Sequence, residues 1–88
     1  MSVYVDDGRY LYGRMRMCHM TADSTEELIE MASAIGVSLR HIQYPGRWNE
    51  HLDICVSKRS EAVRLGAVER SVRDTVVALA QKRENHDG

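Results

Sequence analysis

Alternating apolar and polar residues predict four short β-strands. They cover residues 3–7, 14–22, 37–43 and 51–56. Successive side chains of a strand point to opposite faces, so each stretch presents one apolar and one polar face. The segment 8–13 lies between two glycines and predicts a loop or a poorly formed hairpin arm. Residues 67–69 could add one more strand-like step.

Two helices are predicted between these strands. Ser24 and Glu27 form a capping box at the start of the first helix, which ends at Gly36. Ser57 is the predicted N-cap of the second helix, which ends at Gly66.

A third helix follows a cap formed by Ser71 and Asp74. Its predicted buried face consists of Val72, Val76, Leu79 and Ala80. Alternating strands and helices predict an α/β fold, a small single-domain sheet of short strands with about three helices packed on it. We expect this domain to cover residues 1–83, with a frayed tail at 84–88.

Composition fits a folded domain with a thin core. The chain has 88 residues, of which 43% are apolar and 28% charged, and it has no Phe and one Trp. So short a chain has little apolar surface to bury, and we therefore expect a homodimer.

The net charge of −1 argues against a constitutive nucleic-acid binder. Arginines and tyrosines at residues 9–16 could nevertheless track phosphates and stack on bases. No apolar run is long enough to span a bilayer, the first residues lack a signal-peptide pattern, and two cysteines make no disulfide framework. We therefore expect a cytoplasmic protein without a membrane partner.

Three polar residues are the candidate catalytic groups: His51, Asp53 and His19. On a strand His51 and Asp53 lie side by side, about 7 Å apart at Cα. This spacing suits an imidazole oriented by a carboxylate, or two ligands of one metal, but also an ordinary polar strand face. His19 follows Met15 and Met17 on its face, which is also typical of a packed core or interface residue.

A divalent cation is the cofactor that the carboxylates suggest. Asp6 ends the first strand, and together with Asp53 it could hold a hard cation. An Asp-Asp-Gly turn exposed to solvent is the alternative for Asp6. A zinc site that includes the two cysteines is disfavoured, since Cys18 and His19 point to opposite faces and no C-x-x-C pair is present.

Ser57, Lys58 and Arg59 are the candidate anion-binding residues. Cations at a helix N-terminus are unfavourable for the helix dipole, so two of them there suggest a bound anion such as phosphate. Side chains that bend into solvent are the alternative. Removal of both charges should leave stability unchanged or slightly higher, and should weaken phosphate binding if an anion binds there.

Four separated stretches carry a resemblance to one family: "VYVDD" at 3–7, "MCHMTADS" at 17–24, "HLDI" at 51–54 and "SKRSEAVRLGAVE" at 57–69. They resemble the domain of unknown function 4031, a family of small proteins from bacteriophages and actinobacteria. The resemblance extends to about Glu69 and implies no particular reaction. The polar positions that it carries over are Asp6, Asp7, His19, His51, Asp53, Lys58 and Arg59.

Two functions from different classes follow from these observations. The first is a polar pocket that binds a phosphate-containing small molecule and supports metal- or His-assisted phosphoester chemistry. The second is a non-enzymatic module that binds a host protein or a second copy of the chain. Its contact surface would contain Met15, Met17, Met20 and Trp48.

Overall fold

The protein is described by a computed structural model over residues 2–87, without the side chains of residues 86 and 87. The predicted α/β class is confirmed. The strands are β1 (Val3–Asp6), β2 (Tyr10–Tyr12), β3 (Met15–Ala22), β4 (Leu52–Cys55) and β5 (Val68–Arg70). The α-helices are α1 (Thr25–Ala34), α2 (Val56–Arg64) and α3 (Val72–Asp87), and a short 3-10 helix covers Leu39–His41.

Strand β3 is the centre of a mixed five-stranded sheet. Along one edge it pairs antiparallel with β2 through its first residues and with β1 through its last residues. Along the other edge it pairs antiparallel with β4, while β5 pairs parallel with the outer edge of β1. The segment after Gly8 thus forms a short hairpin with β3.

Helices α1 and α2 cover one face of the sheet, where the core lies. This apolar cluster consists of Val3, Val5, Cys18, Met20, Ala22, Leu28, Ala32, Ile35, Leu52, Ile54, Ala62 and Ala67. Met20 is fully buried in it and therefore cannot belong to the methionine contact surface that the sequence suggested. None of the helices within residues 2–87 is long and apolar enough to span a membrane.

Local signals place α1 correctly. The Ser24 hydroxyl accepts a hydrogen bond from Glu27 N at 3.2 Å and donates to Glu27 Oε1 at 2.9 Å. Ser24 is thus the predicted N-cap, and Glu27 completes the predicted box through the Ser24 hydroxyl rather than through its main-chain N–H. Gly36 and Gly66 have φ values of 76° and 109°, and each follows the end of a helix, as predicted.

The strand predicted at residues 37–43 is wrong. Ser38 accepts a hydrogen bond from Arg40 N through its hydroxyl, and this local contact closes the 3-10 helix Leu39–His41. One isolated bridge, between Gln43 and His51, is the extended pairing that remains there.

The predicted N-cap Ser57 is also wrong. The N-cap of α2 is Cys55, which makes no side-chain capping bond, because β4 continues directly into the helix at Val56. Ser57 therefore lies inside the first turn, with its hydroxyl 3.3 Å from Cys55 Sγ.

Helix α3 buries a different face from the predicted one. Of its described side chains Thr75 is buried and the predicted Leu79 is half-buried, whereas the predicted Val72, Val76 and Ala80 are exposed. The predicted cap is present, since Asp74 N donates to the Ser71 hydroxyl at 3.0 Å. The helix continues to Asp87, past residue 83 where we expected the domain to end, and Gly88 lies outside the described residues.

Candidate metal centre

The pairing of β3 with β4 joins two polar residues that are distant in sequence. His19 lies directly opposite Asp53 in this antiparallel ladder. His51 precedes β4 by one residue and shares the face of Asp53, because side chains alternate along an extended chain. This is the sheet face opposite the core.

Three atoms of these residues converge on one point. Asp53 Oδ1 lies 3.7 Å from His19 Nε2 and 3.6 Å from His51 Nε2. The three residues form a group whose ligand atoms all lie within 4.8 Å of one another. Asp53 Oδ1 is buried and has no hydrogen-bond partner among the described residues. Leaving a buried carboxylate oxygen without a partner costs free energy.

Asp6 fixes the orientation of the His19 ring. Its Oδ2 accepts from His19 Nδ1 at 2.8 Å, while its Oδ1 accepts from the main-chain N–H groups of His19 and Gly8. Burial raises the pKa of Asp6, but the hydrogen bonds from His19 and Gly8 outweigh it and the pKa is lowered overall. The ionised carboxylate in turn raises the pKa of His19, against the opposing effect of burial.

This arrangement leaves His19 Nε2 as the free atom of the ring. The Nδ1–H group of His19 donates a hydrogen bond to Asp6. In the neutral imidazole the lone pair is therefore on Nε2, toward Asp53. A carboxylate behind a histidine is the common outer partner of a metal-ligating imidazole.

His51 and Asp53 have outer partners of their own. His51 Nδ1 donates to the main-chain oxygen of Asn49 at 2.8 Å, which again leaves Nε2 free. Gln43 Nε2 donates to Asp53 Oδ2 at 2.7 Å and leaves Oδ1 free. Each of the three residues is therefore held by a partner behind it.

Tyr10 closes one side of the centre. Its ring lies 5.0 Å from the His19 ring, centroid to centroid, and its hydroxyl is buried without a hydrogen-bond partner among the described residues. Burial, hydrogen bonding toward Asp53 and the negative charge of Asp53 raise the pKa of this hydroxyl, which remains a neutral donor. The Tyr10 hydroxyl lies close enough to Asp53 for a side-chain hydrogen bond to raise its pKa, although the two groups are not aligned for a regular hydrogen bond in this structure.

The predicted anion-binding residues do not join this cluster. Arg59 Nε donates to the main-chain oxygen of Asp6 at 2.8 Å, and its Nη1 lies 2.9 Å from Glu69 Oε1. Glu69 pairs with Val5 and shares its core-side face, so Arg59 lies on the helix-covered side of the sheet. Lys58 Nζ lies 3.8 Å from Glu61 Oε2. Anion binding by Ser57, Lys58 and Arg59 stays a prediction that is separate from the histidine cluster.

The two predicted cation ligands, Asp6 and Asp53, lie in different surroundings. Asp53 keeps a free oxygen toward the histidines, but both oxygens of Asp6 already accept hydrogen bonds. Asp6 is therefore placed as the outer partner of His19. Cys18 is buried on the core face, and burial raises the pKa of its thiol to about 11.

Three residues of the centre were not predicted from the sequence: Gln43, Asn49 and the role of Tyr10. Gln43 and Asn49 flank the turn that contains Tyr44, a non-glycine residue with a φ of 52°. The pairing of Gln43 with His51 brings this loop back to the sheet. The Pro-Gly pair at 45–46 predicted the turn but not the side chains that it returns to the centre.

Comparison with known proteins gives a family and nothing more specific. No curated protein matches the chain, and no solved structure matches it. One family profile, described as protein of unknown function (DUF4031), matches residues 3–82. This match spans most of the chain, including His19, His51 and Asp53, and therefore confirms the resemblance: the chain belongs to the DUF4031 family.

Proposed function

We propose that this protein binds a divalent transition-metal ion through His19, His51 and Asp53, and that it is a metal-dependent enzyme. The observation that carries the proposal is the unpartnered, buried Oδ1 of Asp53 between two imidazole Nε2 atoms, at 3.6 and 3.7 Å. A cation would satisfy all three atoms at once.

The spacing of the three atoms suits a small transition-metal ion. Ligands of a tetrahedral zinc ion lie about 2.0–2.1 Å from the metal and hence about 3.3 Å from one another. The two measured nitrogen–oxygen distances exceed this value by only a few tenths of an ångström. The ligand nitrogens of the two histidines lie within 4.8 Å of each other, so side-chain rotations would have to bring them closer to complete the site.

The donor set favours Zn²⁺ and its neighbours over Mg²⁺ and Ca²⁺. Two imidazole nitrogens and one carboxylate match the preferences of first-row transition metals, whereas Mg²⁺ and Ca²⁺ prefer oxygen ligands. A mainly carboxylate site for a hard cation, as suggested by the sequence, is therefore replaced by a site with mixed donors.

The number of protein ligands favours catalysis over a purely structural role. Structural zinc sites are usually closed by four protein ligands, whereas catalytic sites have three and keep a position for water or substrate. A cation held here would supply Lewis-acid chemistry. The Tyr10 hydroxyl is positioned to donate a hydrogen bond to an oxygen atom beside Asp53.

Isothermal titration of the chelator-treated full chain with Zn²⁺ tests metal binding. We expect one ion per chain, with affinity reduced about 100-fold or more in His19→Ala, His51→Ala and Asp53→Ala. Glu30→Ala is the matched control, because Glu30 is exposed on α1 and lies outside the three-residue group. Circular dichroism establishes that each variant is folded.

The same titration separates the alternatives. A wild type that binds no Zn²⁺ stoichiometrically, or folded triad variants that bind as the wild type does, would overturn the metal proposal. Millimolar Mg²⁺ should not displace the bound Zn²⁺, since it is a poor match for two imidazoles.

A further inference from the structure

A cleft of about 310 Å³ borders the proposed metal centre at Asp53. Asp53, Tyr10 and Gln43 belong both to the centre and to the wall of this cleft. The rest of its lining is formed by Tyr12, Met15, Met17 and His41. The cleft therefore meets the proposed centre at Asp53, since neither His19 nor His51 is among its described lining residues.

The lining is largely made of tyrosine and methionine side chains. No Lys or Arg is among the described residues that line the cleft, and Asp53 is its one carboxylate. A phosphate dianion would find no cationic partner on these walls. Methionine sulfur and tyrosine rings pack favourably against a flat aromatic group.

Two large side chains at this cleft remain exposed to solvent. Tyr12 is 73% exposed and Met15 is 50% exposed, although both could contribute apolar contact area. They lie on the hairpin of β2 and β3, where Tyr12 is directly opposite Met15. A ligand ring that covers them would remove this apolar surface from water.

We infer that the cleft binds a small molecule that carries an aromatic ring and an oxygen donor such as a hydroxamate, carboxylate or carbonyl group. The oxygen donor reaches the metal centre and the Tyr10 hydroxyl, while the ring packs against Tyr12, Met15 and Met17. This inference rests on the proposed metal site and names the class of molecule that the site takes.

Two hydroxamates with the same chelating group test the inference. Zn²⁺-loaded full-length protein is titrated with benzohydroxamate and with acetohydroxamate, after a titration with Zn²⁺ alone. We expect benzohydroxamate to bind about tenfold more tightly, beyond any difference in their affinities for free Zn²⁺. The Tyr12→Ala/Met15→Ala double variant should bind Zn²⁺ normally but lose most of this preference.

Leu11→Ala is the matched control. Leu11 is 65% exposed on the same hairpin, but it alternates with Tyr10 and Tyr12 and points to the other face. It should retain the tenfold preference. Equal binding of the two hydroxamates by the wild type, or an unchanged preference in the double variant, would overturn the inference while the metal site stands. Failure of the Zn²⁺ titration itself would overturn the metal site and the inference together.

Discussion

Asp6 shows how one buried carboxylate can serve both the fold and the proposed site. It is 1% exposed and accepts hydrogen bonds from His19 and from two main-chain N–H groups. Its charge is tolerated in the interior because these donors replace the water that it loses. The same contacts determine which nitrogen of His19 faces Asp53.

We expect Asp6→Asn to weaken both stability and Zn²⁺ binding. The amide is neutral, so the Nδ1–H group of His19 no longer faces a negative charge. The amide also has one acceptor oxygen instead of two, so the buried N–H groups of His19 and Gly8 are poorly paired. The free energy of unfolding should fall by about 1–3 kcal/mol, and Zn²⁺ affinity by about 10- to 100-fold, as for other outer partners.

Urea unfolding and calorimetry measure the two effects of Asp6→Asn. Glu30→Gln, an exposed carboxylate change on α1, is the control and should alter neither quantity. A folded Asp6→Asn protein with wild-type Zn²⁺ affinity would show that Asp6 does not support the site.

The sequence could predict that His51 and Asp53 share one face, but not that His19 lies next to them. The shared face follows from local alternation over three residues. The contact between His19 and Asp53 depends on the register of β3 against β4, which pairs residues 34 positions apart. Register is determined by the whole sheet, so a local pattern could not fix it.

At the scale of elements, prediction succeeded where a local contact decides the structure. Ser24 caps α1 because its bond to Glu27 lies within a single turn. Ser57 has the same residue type, but β4 continues to Cys55 and leaves no residue for a loop. Residues 37–43 alternate like a strand, yet Ser38 closes a local turn before most of that segment can pair.

The two cations in the first turn of α2, Lys58 and Arg59, should respond differently to removal, contrary to the expectation from the helix dipole alone. Arg59 donates to the main-chain oxygen of Asp6 and pairs with Glu69, so Arg59→Gln should lower the free energy of unfolding by about 1–2 kcal/mol. Lys58 makes a loose contact with Glu61, so Lys58→Gln should change it by less than about 0.5 kcal/mol.

Chemical unfolding of the two single variants tests this difference. Lys58→Gln is the control for Arg59→Gln, since both remove one positive charge from the same helical turn. Equal effects of the two substitutions would mean that the dipole, rather than the contacts of Arg59, determines the energetics there.

At the scale of the whole molecule, the chain has a thin core and much exposed apolar surface. Many large apolar side chains of the described residues are exposed: Leu11, Tyr12, Met15, Leu39, Tyr44, Val56, Leu65, Val68, Val72, Val76 and Val77. The homodimer expected from chain length therefore stays a prediction with available contact surface.

Sedimentation analysis at micromolar to high micromolar concentration tests this dimer. Val72 and Val76 lie one turn apart on α3, next to the edge strand β5, so we expect the Val72→Lys/Val76→Lys variant to shift the chain toward monomer. Leu39→Lys, at an exposed position on the 3-10 helix, is the control. A wild type that sediments as a monomer throughout this range would contradict the prediction.

The metal centre is tested most directly by anomalous diffraction from crystals grown or soaked with Zn²⁺, with data on both sides of the zinc absorption edge. We expect one anomalous peak per chain, about 2.0–2.1 Å from His19 Nε2 and His51 Nε2 and at a similar distance from an oxygen of Asp53. Zn²⁺ bound only elsewhere on the chain, with no peak between these three residues at saturating Zn²⁺, would contradict the account.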